Sequence, residues 1–219
     1  MTDISKYKAV IFDVDGTLYD QRPLRRMILR RFAGAYWRKP FAGVRAGRVL
    51  RVYRNVHEEM RGHPYSVEAH LKLATEKSRA SDSYVRETVA RWMEDEPLEL
   101  LSPCVYSGVI ELLQGLADRG IVCGVFSDYP AMNKLKAMKL DRFFKTVSCA
   151  DEAGWLKPDP RGLLAVLRNM NVEPAAAIYV GDREIDRGAA VQAGMKAELI
   201  HDADSYSELL RSFSSGSKS

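Results

Sequence analysis

Lys8-Ala9-Val10-Ile11-Phe12-Asp13-Val14-Asp15-Gly16-Thr17-Leu18 is the stretch that most restricts what this chain can fold into. Ala9, Val10, Ile11 and Phe12 form an apolar run too short for a helix and rich in β-branched and aromatic side chains. Such a run is the signature of a strand buried on both faces, as in a parallel sheet. Two carboxylates follow with only Val14 between them, and Gly16 then permits a sharp exit. Neighbouring side chains on a strand alternate between faces, so Asp13 and Asp15 share a side only if the extended backbone persists. Carboxylates at the carboxyl end of a buried strand stand where open α/β sheets hold their ligands. A plain Asp-Gly turn is the alternative for this motif taken alone. An EF-hand is excluded, because the glycine and a terminal glutamate fall at the wrong offsets.

The next eighty residues have a different character. Leu24, Met27, Ile28, Phe32 and Tyr36 recur at helical spacing, and so do Val44, Val49, Val52, Tyr53 and Val56 despite interspersed glycines. Gly62-His63-Pro64 breaks the pattern. Ser66 is a candidate N-cap for a helix carrying Val67, His70, Leu71 and Ala74. A further helix starts at Asp82 or Ser83, turns Val85, Val89, Trp92 and Met93 inward, and is closed by Pro97. From Val105 strands and helices alternate. Strands are expected over 121–126, 143–148, 178–180 and 198–200, with helices over 109–117, 131–140, 160–170, 186–194 and 205–210. That alternation predicts a doubly wound parallel sheet. The boundaries are a core over 1–19 and 103–212, an all-helical insert over 20–102, and a disordered Ser-, Gly- and Lys-rich tail over 213–219.

Composition enters mainly by exclusion. A length of 219 residues, 46% hydrophobic and 28% charged, suits a globular protein with one large domain or a core and a modest second domain. No apolar run approaches the ~20 residues of a membrane span, and residues 1–8 lack the apolar region of a signal peptide. Cys104, Cys123 and Cys149 are odd in number and widely spaced, which indicates neither a disulfide framework nor a zinc site. Buried free thiols in a reducing compartment, and hence a cytoplasmic location, are expected. His57, His63 and His70 do not have zinc spacings and read as ordinary surface or cap histidines. Trp37, Trp92 and Trp155 read as packing residues. Between Gln21 and Arg61 the basic residues are Arg22, Arg25, Arg26, Arg30, Arg31, Arg38, Lys39, Arg45, Arg48, Arg51, Arg54 and Arg61, opposed only by Glu58 and Glu59. Three uses stay open for them: a solvated helical face, steering of anionic substrates, or nucleic-acid binding.

Three buried strands end in polar residues: Asp13 and Asp15, then Ser127, then Asp182. Lys157, ahead of Pro158-Asp159-Pro160, joins them from a loop. This ordered set resembles the four motifs of the haloacid dehalogenase-like (HAD) hydrolase superfamily, as Asp13-Val14-Asp15-Gly16-Thr17, Ser127, Lys157 and Gly181-Asp182-Arg183-Glu184-Ile185-Asp186. The helical insert falls where that superfamily carries its cap, so the resemblance spans nearly the whole chain. It implies an α/β fold, a doubly wound parallel sheet forming a Rossmann-like core, with a second, all-helical cap domain. One departure is Ile185, where relatives often have a polar residue before the last aspartate.

The resemblance also implies a chemistry. Asp13 would attack phosphorus and form an aspartyl-phosphate that water hydrolyses. Two anions approach each other, which calls for a cation, and Mg²⁺ suits hard oxygen ligands. Asp13, the backbone carbonyl of Asp15, Asp182 and Asp186 would hold it. Asp15 would act as general acid and then base, its pKa raised by neighbouring carboxylates. Thr17 and Ser127 would bind the phosphoryl oxygens with Lys157, which also neutralises charge on the nucleophile. Dehalogenases of the superfamily lack an aspartate at the position of Asp15, so phosphoryl transfer is favoured. The expected function is a Mg²⁺-dependent phosphatase of small phosphorylated metabolites such as phosphoglycolate, sugar phosphates or nucleotides. The alternatives are a phosphomutase, or a non-catalytic protein that uses the basic insert to hold nucleic acid or an acidic partner. The expected partner is a small phosphorylated metabolite, with no membrane and no nucleic acid, and oligomeric state is open. Arg25, Arg45 or Arg48 would reach a second anionic group, and hinges are expected near Tyr19-Asp20 and residues 101–103.

Overall fold

The computed structural model describes residues 3–215, with side chains as far as Arg211. In chain order the main elements are β1 (Ala9–Phe12), α1 (Gln21–Tyr36), α2 (Pro40–Glu59), α3 (Val67–Ser78) and α4 (Asp82–Val89). A π-helical segment (Ala90–Asp95) leads into the short α5 (Glu96–Leu98). Then follow α6 (Val109–Asp118), β2 (Val122–Ser127), α7 (Met132–Ala137), β3 (Phe144–Cys149), α8 (Ala150–Ala153), α9 (Arg161–Met170), β4 (Ala177–Gly181), α10 (Glu184–Gln192), β5 (Lys196–Leu199) and α11 (Ala203–Ser215).

The five strands form one parallel sheet in the order β3-β2-β1-β4-β5, with β1 at its centre. Strand alternation sorts the buried side chains onto two faces. Val10, Phe12, Val125, Ile178 and Val180 join one apolar cluster with Leu112, Leu116 and Leu135 of α6 and α7. Ala9, Ile11, Phe126 and Tyr179 join another with Leu163, Val166 and Ala189 of α9 and α10. Both faces are covered, so every residue of β1 is fully buried. Each Val, Ile or Phe buried this way contributes roughly 1.5–3 kcal/mol.

The helices α1 to α5 form a lobe whose apolar cluster of Val49, Tyr53, Val56, Leu71, Val85 and Val89 also takes in Ala150 and Leu156 from beside the sheet. Its two connections to the sheet run side by side: the Asp20 amide donates to the Cys104 carbonyl at 2.9 Å and the Tyr106 amide to the Leu18 carbonyl at 3.2 Å. A second contact lies across the lobe, where the Tyr65 amide donates to the Gly154 carbonyl at 2.8 Å. Helix starts follow the expected chemistry. Asp20 accepts from the Arg22 amide and Ser66 from the Ala69 amide, each capping its helix. Gly43 in α2 serves packing, because a Cβ there would lie 2.8 Å from the Tyr36 Cβ, and α1 could not approach as closely.

Several expectations are corrected. Pro97 does not close the last helix of the insert: the ladder widens to π-type spacing before it, which accommodates the missing N–H, and the helix runs on to Leu98. Val44 belongs to the apolar pattern of α2 yet is 72% exposed, and Trp37 does not pack, being 73% exposed. Of the three histidines of the insert, His57 and His70 are buried and His63 lies at the surface. His70 stacks on Tyr53 with centroids 3.8 Å apart and its Nε2 bonds the Tyr53 carbonyl, while His57 stacks on Tyr129 at 4.4 Å. An aromatic lobe core takes up imidazole rings as flat apolar bodies. The three cysteines are free and buried. Residues 213–215 of the expected tail continue α11, and the rest of it lies outside the described residues.

Candidate active site

The carboxyl ends of β1, β2 and β4 converge on one point, and the side chains that follow each strand meet there. Asp13 continues β1, its amide donating to the Val180 carbonyl at 2.8 Å, so the extended backbone persists into the motif. Gly16 then turns the chain with φ of +93°, and a Cβ there would fall 2.2 Å from Asp182 Oδ2. That position therefore requires glycine both for its dihedral and for the room it leaves Asp182.

Lys157 sits at the centre, 3% exposed. Its Nζ donates to Asp13 Oδ1 and to Asp186 Oδ1, each at 2.6 Å, and to the Tyr179 hydroxyl at 3.2 Å. Tyr179 passes its own proton to the Phe126 carbonyl at 2.9 Å. Thr17 donates to Asp13 Oδ2 at 3.4 Å. Asp186 Oδ2 accepts from the amides of Asp182 and Arg183 at 3.1 and 2.9 Å. Carboxylate oxygens of Asp13, Asp182 and Asp186 all lie within 4.8 Å of one another. Asp182 Oδ1 is buried with no hydrogen-bond partner among the described residues.

Charge decides what this cluster lacks. Three carboxylates face one ammonium, leaving two negative charges without compensation. Burial, reinforced by Asp186 and Asp15 against the pull of Lys157, pushes the Asp13 carboxyl up to about 8. Burial and Asp186 raise Asp182 to about 6. Burial pulls the Lys157 ammonium down, but Asp13, Tyr179 and Asp186 outweigh it and keep it charged. A divalent cation beside the orphaned Asp182 oxygen would cancel the surplus, and an all-oxygen donor set is what hard cations take. The residues present fit such an ion. Asp186 is the least free to bind it directly, because its Oδ1 is held by Lys157 and its Oδ2 by two amides, whereas Asp13 Oδ2 meets only the long bond from Thr17.

Asp15 departs from expectation. Its side chain lines the same cavity, but both oxygens accept from Lys134 Nζ at 2.6 Å and Oδ1 accepts from the Tyr19 hydroxyl at 2.5 Å. Burial pushes its carboxyl up, yet Lys134 and Tyr19 outweigh burial and hold it below the usual carboxylate value. The expected upward shift from neighbouring carboxylates is thus reversed by a lysine that the sequence did not single out. Ser127 is buried at the end of β2, its Oγ accepting from the Tyr129 amide at 3.4 Å.

Four further residues join the site unannounced by the motifs. Lys134 and Tyr19 hold Asp15. Arg61, from the lobe, donates to Asp128 Oδ2 at 2.8 Å and also to the Lys157 carbonyl. Asp128 Oδ1 in turn accepts from the Lys157 amide at 3.0 Å, so Arg61 and Asp128 grip the backbone of the central lysine from both sides. Asp128 had a usable signal, since it directly follows Ser127. Arg61 had none beyond its place in a long basic run. A cavity of about 640 Å³ opens between these groups and the lobe, whose wall includes Leu24, Arg25, Ile28, Arg54, Trp92 and Met93. Arg25 faces this cavity, as one expectation had it. Arg45 instead lies over the Tyr84 ring, and Arg48 is not part of the lining.

Comparison with known proteins agrees with this geometry. A family model described as haloacid dehalogenase-like hydrolase matches residues 7–194. The chain is 29% identical over 196 residues to phosphoglycolate phosphatase 1 of Pseudomonas aeruginosa, covering 88% of this chain and 69% of that one. It is also 29% identical to the phosphorylated carbohydrates phosphatase of Thermotoga maritima, covering 86% and 82% respectively. Among solved structures, a HAD phosphatase from Thermococcus onnurineus superposes with a TM-score of 0.61 at 26% identity, covering 88% of this chain and 85% of that one.

Proposed function

We propose, from the premise that this chain belongs to the haloacid dehalogenase-like hydrolase family, that it is a Mg²⁺-dependent phosphatase whose nucleophile is Asp13. Its substrates would be small phosphorylated metabolites of the phosphoglycolate, sugar-phosphate or nucleotide kind, the classes named for its phosphatase relatives included. The observation that carries this reading is the meeting of Asp13, Asp182 and Asp186 around Lys157, with one buried Asp182 oxygen left without a partner.

Asp13, the Asp15 carbonyl and Asp182 would hold the ion, with Asp186 fixing the loop of Asp182 through its two amide bonds. When bound, Mg²⁺ supplies charge neutralisation between the nucleophile and the phosphoryl group. Lys157 keeps Asp13 aimed into the cavity and spreads positive charge toward the transferring oxygens. Thr17 and Ser127 offer hydroxyls for the same oxygens. Attack by Asp13 on phosphorus forms an aspartyl-phosphate and expels the alcohol, and water then releases phosphate and restores the carboxylate. Asp15, ionised against Lys134, is set for the second step, taking a proton from that water. To give a proton to the departing alkoxide it must first lose Lys134 and take up a proton from water, and an incoming phosphate competes for that same ammonium. Arg25 and Arg54 in the cavity wall would receive a second anionic group of the substrate.

Purified protein assayed with p-nitrophenyl phosphate and a panel of phosphorylated metabolites tests the proposal. Turnover is expected with Mg²⁺, lost on chelation and in Asp13→Asn. Turnover that survives in Asp13→Asn contradicts it.

A further inference from the structure

The helical hairpin of α1 and α2 carries a surface that phosphoester chemistry does not use. Three of the seven large hydrophobic side chains exposed among the described residues lie at or near its tip: Trp37 at 73%, Phe41 at 89% and Val44 at 72%; Leu29, further down α1, lines the catalytic cavity instead. Trp37 and Phe41 flank the turn between the helices, about 24 Å along α1 from the end that meets the catalytic core. The same segment, residues 21–57, holds eleven Lys and Arg and neither Asp nor Glu. Arg30, Arg38, Lys39 and Arg48 form no ion pair among the described residues.

We infer that this hairpin tip docks on an anionic lipid surface, seating Trp37 and Phe41 at the headgroup level with Arg38, Lys39 and Arg48 against lipid phosphates. Exposed apolar side chains gathered in one place mark an interaction surface, and aromatic residues mixed with Lys and Arg are the composition of an interfacial segment. Charge rejects a second copy of this chain, since facing hairpins would set ten positive charges without an ion pair among the described residues against ten, Arg31 alone of the eleven being held by Glu96 and Glu99. Nucleic acid would take the arginines and the aromatic rings but gives Val44 nothing to bury against. The expectation of no membrane partner rested on the lack of a spanning run, and that bears on crossing a bilayer, not on lying against one.

Trp37 serves as its own reporter, because Trp92 is buried and Trp155 half-buried. The full chain is titrated with vesicles of phosphatidylcholine alone and of phosphatidylcholine with equimolar phosphatidylglycerol. Sedimentation with the anionic vesicles, a blue shift and protection of Trp37 from acrylamide are expected, all weakening with salt. Trp37→Ser with Phe41→Ser should abolish the association, and Arg38→Gln with Lys39→Gln should weaken it about thirtyfold, at roughly fivefold per charge. Thermal melts verify that each variant is folded, and the wild-type quenching result stands without them. No association with either vesicle, or equal association with both, overturns the inference. So does binding of DNA or RNA in place of anionic vesicles, or a self-association that shields Trp37.

Discussion

At the carboxyl ends of β1 and β4, Asp13, Lys157 and Asp186 are locked together at 2.6 Å, whereas along α1, α2 and the turn between them Arg30, Arg38, Lys39 and Arg48 are exposed, with no ionic partner among the described residues. Burying a charge costs several kcal/mol unless it is paired and hydrogen-bonded. The first group therefore persists because Lys157 and the surrounding hydrogen bonds hold it, and its surplus negative charge together with the unpartnered Asp182 Oδ1 marks what is to be added. The second group costs the fold nothing. Its one-sided sign is not required by stability and points outward to something the chain meets. Two kinds of ligand, one small and one extended, are written into the two treatments of charge.

The comparison breaks most visibly at Asp13, the proposed nucleophile. Asp13→Asn keeps the shape and removes the attacking oxygen anion, so turnover of p-nitrophenyl phosphate should fall by about 10³ or more, roughly 4 kcal/mol of barrier. Lys157→Met tests the buried network itself. Leaving Asp13 and Asp186 without their ammonium should destabilise the metal-free protein by about 3–5 kcal/mol in urea unfolding, whereas removing an exposed charge such as Arg30→Met should change stability by less than about 0.5 kcal/mol.

His57 sharpens the boundary between the two regions, since it belongs to α2 but stacks on Tyr129 of the core with neither ring nitrogen hydrogen-bonded among the described residues. Burial first, with Arg61 and His70 adding to it against Asp128 and Glu58, lowers its pKa from 6.5 to about 4. The fold accepts the neutral ring, so the unfolded chain takes up the proton first as pH falls. Its contribution is complete above about pH 6.5 and is lost toward pH 4, by about 3 kcal/mol at most. His57→Phe should flatten that part of the stability–pH curve, and an unchanged curve would reject this account of the ring. Among the residues that touch the site, the smallest expected effect is at Arg61. Arg61→Met should lower kcat/KM about 10–100-fold through loosened positioning of Lys157, with Arg61→Lys recovering part of the loss.

The sheet and the meeting of its strand ends were legible because β1, β2 and β4 are unbroken apolar runs that stop at Asp13, Ser127 and Asp182. Buried parallel strands advertise themselves in this way, and their ends locate a site. The lobe was legible as helices but not as contacts. Arg61 is one of twelve basic residues in its stretch, and only tertiary packing brings it to Asp128 and the Lys157 carbonyl. Lys134, seven residues beyond Ser127, likewise reverses the pKa of Asp15 through a contact that spans 119 positions. His57 was misread because helical periodicity treats imidazole as polar, while an aromatic lobe packs it as a flat ring; His70 already stood with Val67, Leu71 and Ala74 in the helical pattern of α3. Val44 errs in the opposite sense: its spacing fits the apolar face, yet nothing in the fold covers it.

Titration of the metal-free chain with Mn²⁺, an electron-spin probe that takes the oxygen ligands of Mg²⁺, tests the central claim most directly. One ion per chain should bind to the wild type, be displaced by excess Mg²⁺, and fail to bind at the same concentration in Asp182→Asn. Equal binding by wild type and Asp182→Asn, or none by either, would contradict the assignment of the three carboxylates to a divalent cation.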